Sequence, residues 1–434
     1  MIMENVNKRK GILHNKNFVL TTLGSLVSNV AAIFYNFAIS FWILQVTDNN
    51  SVIQGLYLGL TGLFFVLASP IGGVIVDKFH KGKIIWFCDF LRGGLILLTF
   101  LLFLLIPDNT AILVILFISG CLGNIIGAIF VPAGSALIPE VVEKENLQKA
   151  NSINGIGSAI QMIIGTTLVG LLYSVLTMKF ILLMVGCLYV ASAISEIFIK
   201  YNYQKKEQKI NLKIIFSDTR ETFKYIKKEN TIFMLLLLTI ILNLFFNPFQ
   251  SNFLPYFCLT DLAGKPFLLH EIFQPEIWQT IFCLCISICS IITALIFSKK
   301  QIRDDLKVMK IGFILIAISM TGIALSYFFL VSLNDNVNPF LIICSGLSCL
   351  IGISIITINV PASSILQKTI VMDKFGKVMS LLQLGAQGLT PIMVFVSGYI
   401  IEAGTSYLLF VLAGGLILTT LLALIPKSLR KNGN

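Results

Sequence analysis

Charge is scarce in this chain: Asp, Glu, Lys and Arg make up 12% of its 434 residues, against about 25% in an ordinary soluble domain. With 56% hydrophobic residues, it cannot hide its apolar surface in one water-soluble core. Histidine is rarer still. His14, His80 and His270 lie far apart with no cysteine or carboxylate cluster beside them, so no metal site is expected. No glycine-rich loop ends in Gly-Lys-Ser or Gly-Lys-Thr, which excludes a built-in nucleotide-driven motor of that kind. No catalytic constellation is recognisable, so neither an enzymatic activity nor a cofactor is expected. The first seventeen residues carry four Lys or Arg and no apolar core of a signal peptide; the first hydrophobic segment is expected to serve as an uncleaved insertion signal. All nine cysteines fall within apolar segments. That placement speaks against a disulfide framework, and Cys283, Cys285 and Cys289 read as packing residues.

What the chain has in abundance is long apolar runs. Ile84–Ile106, Ile232–Leu259 and Leu408–Ile425 each approach or exceed the ~20 residues that a helix needs to cross ~30 Å of hydrocarbon. Spans are predicted at 18–45, 52–77, 83–106, 112–138, 148–174, 179–199, 230–259, 276–298, 308–331, 339–366, 376–402 and 405–425.

The net charge of +11 follows this pattern rather than forming a nucleic-acid footprint. Of the 32 Lys and Arg, all but Lys179, Lys265 and Arg92 lie in or beside segments on the side of the N-terminus. Cations concentrate on the cytoplasmic side of membrane proteins. Both termini and the 200–229 loop are therefore expected in the cytoplasm, with the chain in a bacterial inner or plasma membrane.

The expected organisation is a cytoplasmic segment 1–17, a six-helix bundle 18–200, a cytoplasmic loop 201–229, a second six-helix bundle 230–425 and a tail 426–434. Within the loop, Leu212, Ile215, Phe216, Thr219, Phe223 and Ile226 recur at helical spacing between Lys and Arg, which predicts a short amphipathic helix on the membrane surface. The halves also echo each other. Val131-Pro132-Ala133-Gly134-Ser135 in the fourth span recurs as Val360-Pro361-Ala362-Ser363-Ser364 in the tenth, and Asn36-Phe37 in the first as Asn247-Pro248-Phe249 in the seventh. Such matches fit a duplicated unit. The fold class is thus an all-α membrane protein of twelve transmembrane helices in two pseudo-symmetric six-helix bundles.

The connection between the second and third spans reads SPIGGVIVDKFHKGKII. Gly73, an acid four residues on at Asp77, and the cations Lys78, Lys81 and Lys83 resemble the signature of the major facilitator superfamily, with His80 and Gly82 departing from its usual pattern. The resemblance implies the major facilitator fold and a latch at this loop that holds the two halves together on the cytoplasmic side. Gly73 is expected to permit a close helix approach. The segments Val131–Ile160 and Gly376–Ile392 further resemble the macrolide-efflux branch, and in many exporters of this kind the fifth span carries a glycine motif that Gly165, Thr166 and Gly170 match without its proline. Export by antiport is what that resemblance implies.

Few charges lie inside spans, where each costs several kcal/mol unless paired. Asp89 and Arg92, at i and i+3 on the third span, are placed to pair with each other, with proton carriage by Asp89 as the alternative. Glu196, one turn before Lys200, is expected to reach the membrane surface. The family's cavity-lining spans, the first, fourth, seventh and tenth, hold no mid-membrane charge. Their polar groups include Asn36, Asn124, Asn243, Asn247, Gln250 and Asn359, joined by Gln161 and Gln387 on the fifth and eleventh spans, with Phe37, Phe130 and Phe249 among the aromatics. These are the candidate substrate-binding residues, and an apolar cavity with scattered amides suits an amphipathic molecule. The expected function is secondary active, proton-coupled export of hydrophobic or amphipathic compounds by a monomer that alternates access. A lipid or lysophospholipid flippase of the same fold, and a non-transporting membrane sensor or immunity protein, are the alternatives.

Overall fold

The computed structural model describes residues 14–143, 175–201, 212–268, 270–272, 274–299, 304–370 and 372–424, with scattered positions of 150–173. No strand occurs among the described residues. The helices are α1 (Lys16–Val46), α2 (Ser51–Lys78), α3 (Lys81–Leu105), α4 (Asn109–Val141), α5 (Met178–Ile197), α6 (Leu212–Lys228), α7 (Asn230–Thr260), α8 (Ile277–Lys299), α9 (Asp305–Ser332), α10 (Val337–Thr369), α11 (Met372–Gly388), α12 (Thr390–Ala403) and α13 (Thr405–Leu424). Eleven candidate membrane spans lie among the described residues. The fifth expected span, 148–174, falls mainly outside them. Many large side chains that face outward from the spans are apolar, as on α3, where Leu98, Leu101, Leu104 and Leu105 are all more than half exposed. Hydrocarbon rather than water is the solvent that suits this surface.

Helix starts follow local chemistry. The His80 ring accepts from the Lys83 backbone N–H at 3.3 Å to cap α3, Asp108 accepts from Thr110 and Ala111 at α4, and Asp304 accepts from Lys307 at 3.0 Å to cap α9. Each supplies an acceptor to an otherwise orphaned first-turn amide. Pro248 sits where α7 changes to a π turn, Phe249–Phe253, before regular helix resumes. Proline lacks the amide that would close the ladder there. The eleventh expected span, 376–402, is two helices: α11 ends at Gly388 and α12 starts at Thr390, just before Pro391.

The chain divides into two compact units. The first comprises Met1–Tyr35, Leu67–Gly165 and Lys179–Gln208. Its core gathers Phe18, Val76, Ile84, Ile85, Cys88, Phe130, Ala133 and Leu137. α3 and α5 cross through reciprocal glycines: a Cβ on Gly93 would lie 2.8 Å from Val190, and one on Gly186 would lie 2.7 Å from Leu97. The close approach expected at Gly73 belongs instead to its neighbour. A Cβ on Gly72 would lie 2.2 Å from the Ala128 carbonyl oxygen of α4, whereas one on Gly73 would meet nothing within 4 Å. Successive helical residues point about 100° apart, so only one of the pair can face α4.

The second unit comprises Asn36–Val66, Thr166–Met178 and Lys209–Asn434. Within it the first part of α2 packs on α12. Added Cβ atoms at Gly55, Gly59 and Gly62 would lie 3.1, 2.8 and 2.8 Å from Phe395, from Phe395 and Pro391, and from Pro391, and one at Gly398 would lie 2.5 Å from the Ser51 carbonyl oxygen. In the same unit α8 and α10 meet at Gly352, which a Cβ would bring to 2.2 Å of the Ile286 carbonyl oxygen. α6 is amphipathic: Thr222 and Ile226 are buried while Arg220, Lys224, Lys227 and Lys228 are exposed.

Candidate functional site

A polar cluster lies inside the first unit, on helices otherwise built from apolar residues. From α1, the Ser28 hydroxyl donates to Asp89 Oδ2 of α3 and approaches Ser192 Oγ of α5 at 2.8 Å. The Ser192 hydroxyl in turn donates to the Gly24 carbonyl oxygen at 2.9 Å. Asp89 is fully buried, and Arg92 Nη1 stands 3.8 Å from its Oδ1. The guanidinium lies over the Phe130 ring at 4.8 Å and the Tyr189 ring at 5.6 Å. The i, i+3 spacing on one helix accounts for the ion pair, and two aromatic faces hold the cation out of water. This much was legible from Asp89 and Arg92.

Glu196 does not reach the surface as expected. It is 1% exposed, and among the described residues neither carboxylate oxygen has a hydrogen-bond partner. A Cβ on Gly24 would lie 2.4 Å from its Oε1, so the carboxyl group sits directly against α1. The residues after it turn away: the Lys200 amide donates to Asn17 Oδ1 at 3.0 Å and the Lys200 side chain is exposed. That tie pulls the chain across the start of α1 and leaves Glu196 inside. The sequence shows Glu196 and Ser192 one turn apart, but Gly24, which opens the space, is 172 positions away.

The other expected residues are distributed as follows. In the latch loop, the Asp77 side chain is outside the described residues, and Lys78 and Lys83 are exposed. Lys81 pairs through its ammonium with Glu140 of α4 and donates from its backbone amide to the Tyr201 hydroxyl at 2.9 Å. Lys81 is thus engaged within its own unit. Among the amides, Asn124, Asn243 and Asn247 each donate to the carbonyl oxygen four residues earlier, at 3.0, 2.9 and 2.9 Å. Asn247 also reaches Asn243 Oδ1 at 3.2 Å, which puts the two on one stripe of α7. Gln161 accepts from Asn29 at 3.2 Å. Asn36, Asn359 and Gln387 are exposed and Gln250 half-buried. The aromatics behave differently. Phe130 is 4% exposed under Arg92, Phe249 is fully buried and stacked on Phe253, and Phe37 packs on Phe41 at 4.8 Å. All three are core side chains in this conformation and offer a substrate almost no surface.

A second polar group tightens the α2–α12 contact of the second unit. The Ser51 amide and hydroxyl both donate to Glu402 Oε1 at 3.1 Å, and that hydroxyl also lies 2.8 Å from the Gly398 carbonyl oxygen. Nearby, Gln54 donates to the Ser251 carbonyl oxygen at 3.1 Å, and the Tyr173 hydroxyl donates to Gln45 Oε1 at 3.0 Å.

The profile of the Major Facilitator Superfamily matches residues 18–372. The chain belongs to the Major Facilitator Superfamily. It is a multi-pass membrane transporter, not an enzyme. Two Bacillus subtilis (strain 168) proteins are similar to it. The uncharacterized MFS-type transporter YvqJ is 20% identical over 87% of this chain and 85% of its own length. The uncharacterized MFS-type transporter YkuC is 28% identical over 38% of this chain, a match that spans 37% of the relative. Among solved structures, a D-xylose-proton symporter has a TM-score of 0.72 at 11% identity, covering 95% of this chain and 98% of its own. That likeness concerns the fold alone.

Proposed function

We propose that this transporter exports hydrophobic or amphipathic small molecules from a bacterial cell by alternating access, as a monomer driven by protons. One observation carries the substrate class. Helices α1, α4, α7 and α10 contain no acid or base away from their ends, where Lys16, Glu140 and Lys368 stand. Their mid-helix polar groups are amides and hydroxyls, which give orientation without a fixed ionic partner. A substrate held there relies on apolar burial and amide hydrogen bonds rather than on an ion pair with those helices.

Proton drive is supported by the acids buried within α3 and α5, since intramembrane carboxylates are the usual carriers of protons in transporters. Export is supported by the likeness of Val131–Ile160 and Gly376–Ile392 to efflux proteins, and cytoplasmic termini by the clustering of cations on one side. In this reading Gly73, Asp77, Lys78, Lys81 and Lys83 form a latch that is made and broken in each cycle.

Expression in an efflux-deficient bacterial host, with and without a protonophore, tests the proposal. Resistance to a set of apolar and cationic-amphipathic toxins should rise severalfold and collapse with the protonophore. Unchanged sensitivity to the whole set, together with movement of a fluorescent phospholipid in proteoliposomes, would replace export by lipid flipping.

A further inference from the structure

We infer that Glu196 is the proton-binding group of this transporter, holding the proton in the present conformation while Asp89 stays ionised beside Arg92. The inference deepens the proton-driven reading above and rests on it.

Hydrogen-bond donors are few in this cluster. Two hydroxyls, Ser28 and Ser192, serve the cluster. Ser28 supplies Asp89, and Ser192 supplies the Gly24 carbonyl oxygen. Arg92 approaches Asp89 and is otherwise covered by Phe130 and Tyr189. Ser192 is the hydroxyl nearest to Glu196, but its one proton goes to the Gly24 carbonyl oxygen, and among the described residues both Glu196 oxygens are buried without a hydrogen-bond partner. A second ionised carboxylate, buried beside Asp89 with Arg92 already turned to that acid and Ser192 committed to a backbone carbonyl, is disfavoured; the group neutralises by keeping its own proton. Among the described residues the ionisable groups that act on Glu196 are Asp89, Arg92 and Cys88 of α3, while Tyr189 of α5 acts on Asp89 and Arg92 and is followed by Tyr35 of α1.

The two acids differ in the helices that hold them. Asp89 shares α3 with its cation, so the pair moves as one body. Glu196 is on α5 and is confined by Gly24 of α1, so any shift of α1 against α5 changes its surroundings. Release is then the simple ionisation of the Glu196 carboxyl group, with the proton passing to water once the gap at Gly24 admits it.

A hydrophobic carbodiimide is the probe. It adds across a carboxylic acid O–H, and the adduct rearranges to a stable acylurea, so it marks carboxyl groups that are protonated and in apolar surroundings. The full chain in proteoliposomes should be labelled at Glu196 and not at Asp89, by peptide mass spectrometry, with labelling that falls as pH rises from neutral. Failure to label Glu196, or labelling unaffected by alkaline pH, overturns the inference; neither result depends on knowing the substrate. In parallel, Glu196→Gln should insert normally and abolish uphill movement of ethidium driven by a pH gradient, while downhill movement persists. If Glu196→Gln keeps gradient-driven movement, the inference fails although the proton-driven reading stands. If wild type moves no ethidium in response to the gradient while Glu196 labels as expected, it is the proton-driven reading that fails.

Discussion

At Arg92 three contacts meet: the Asp89 carboxylate and the faces of Phe130 and Tyr189. Removing one member of a buried ion pair typically costs about 3–5 kcal/mol, because the other charge is left uncompensated, whereas replacing both can be nearly neutral. Arg92→Met should therefore lower thermal stability in detergent by several degrees or more, and Asp89→Asn added to it should restore most of the loss. Equal melting temperatures for the single and double variants would show the pair to be energetically silent. Asp261, just past the end of α7, gives a pH-dependent case. Burial pushes its carboxyl up to about 6, against a smaller opposing effect of the hydrogen bond that the Tyr327 hydroxyl donates at 2.8 Å. Its folded pKa lies above the unfolded value of about 3.9, so the folded state binds more protons across that window and stability falls as pH rises through it. Melting curves from pH 4 to pH 7 should show this decline, and Asp261→Asn should flatten it.

Helix crossings show which glycines matter. Along α2, Gly55, Gly59 and Gly62 let α12 approach, and the Ser51–Glu402 hydrogen bonds hold one end of the contact. Small residues drive such packing because backbones can come into van der Waals range. Gly59→Leu should separate α2 from α12 and raise the reactivity of a cysteine placed at Ser51 at least severalfold toward a water-soluble maleimide. Gly414→Ala in α13 is the control, since a methyl group there meets nothing within 4 Å and should leave reactivity unchanged. The sequence pattern pointed to Gly73 because it is part of a recognisable motif; the choice between Gly72 and Gly73 depends on how α2 is rotated against α4. The break of the eleventh span and the π turn after Pro248 both sit at prolines. In each case the proline is visible in the sequence, but whether the helix kinks, breaks or takes a π turn depends on what the neighbouring helices stabilise.

For the whole molecule, the proposed latch predicts a shift between conformations. The Asp77 backbone lies in the last turn of α2, so Asp77→Asn should insert normally. A change of about 1.4 kcal/mol between two states moves their ratio tenfold, and one charge-assisted hydrogen bond is of that order. Labelling of a reporter cysteine on the N-terminal side should rise, labelling on the opposite side should fall, and transport should drop; unchanged labelling would make the loop a plain connector. Long apolar runs and one-sided cations were enough, by themselves, to determine that this is a helical, multi-pass membrane protein, because hydrocarbon admits few other solutions. The ion pair of Asp89 and Arg92 was legible for the same local reason, the i, i+3 spacing. Only the tertiary structure decided that Glu196 is buried against Gly24, that Gly72 carries the close approach, and that Phe130 and Phe249 are core residues. Those outcomes depend on which helices meet and at what rotation. Helical periodicity leaves that rotation open when nearly every face of the helix is apolar.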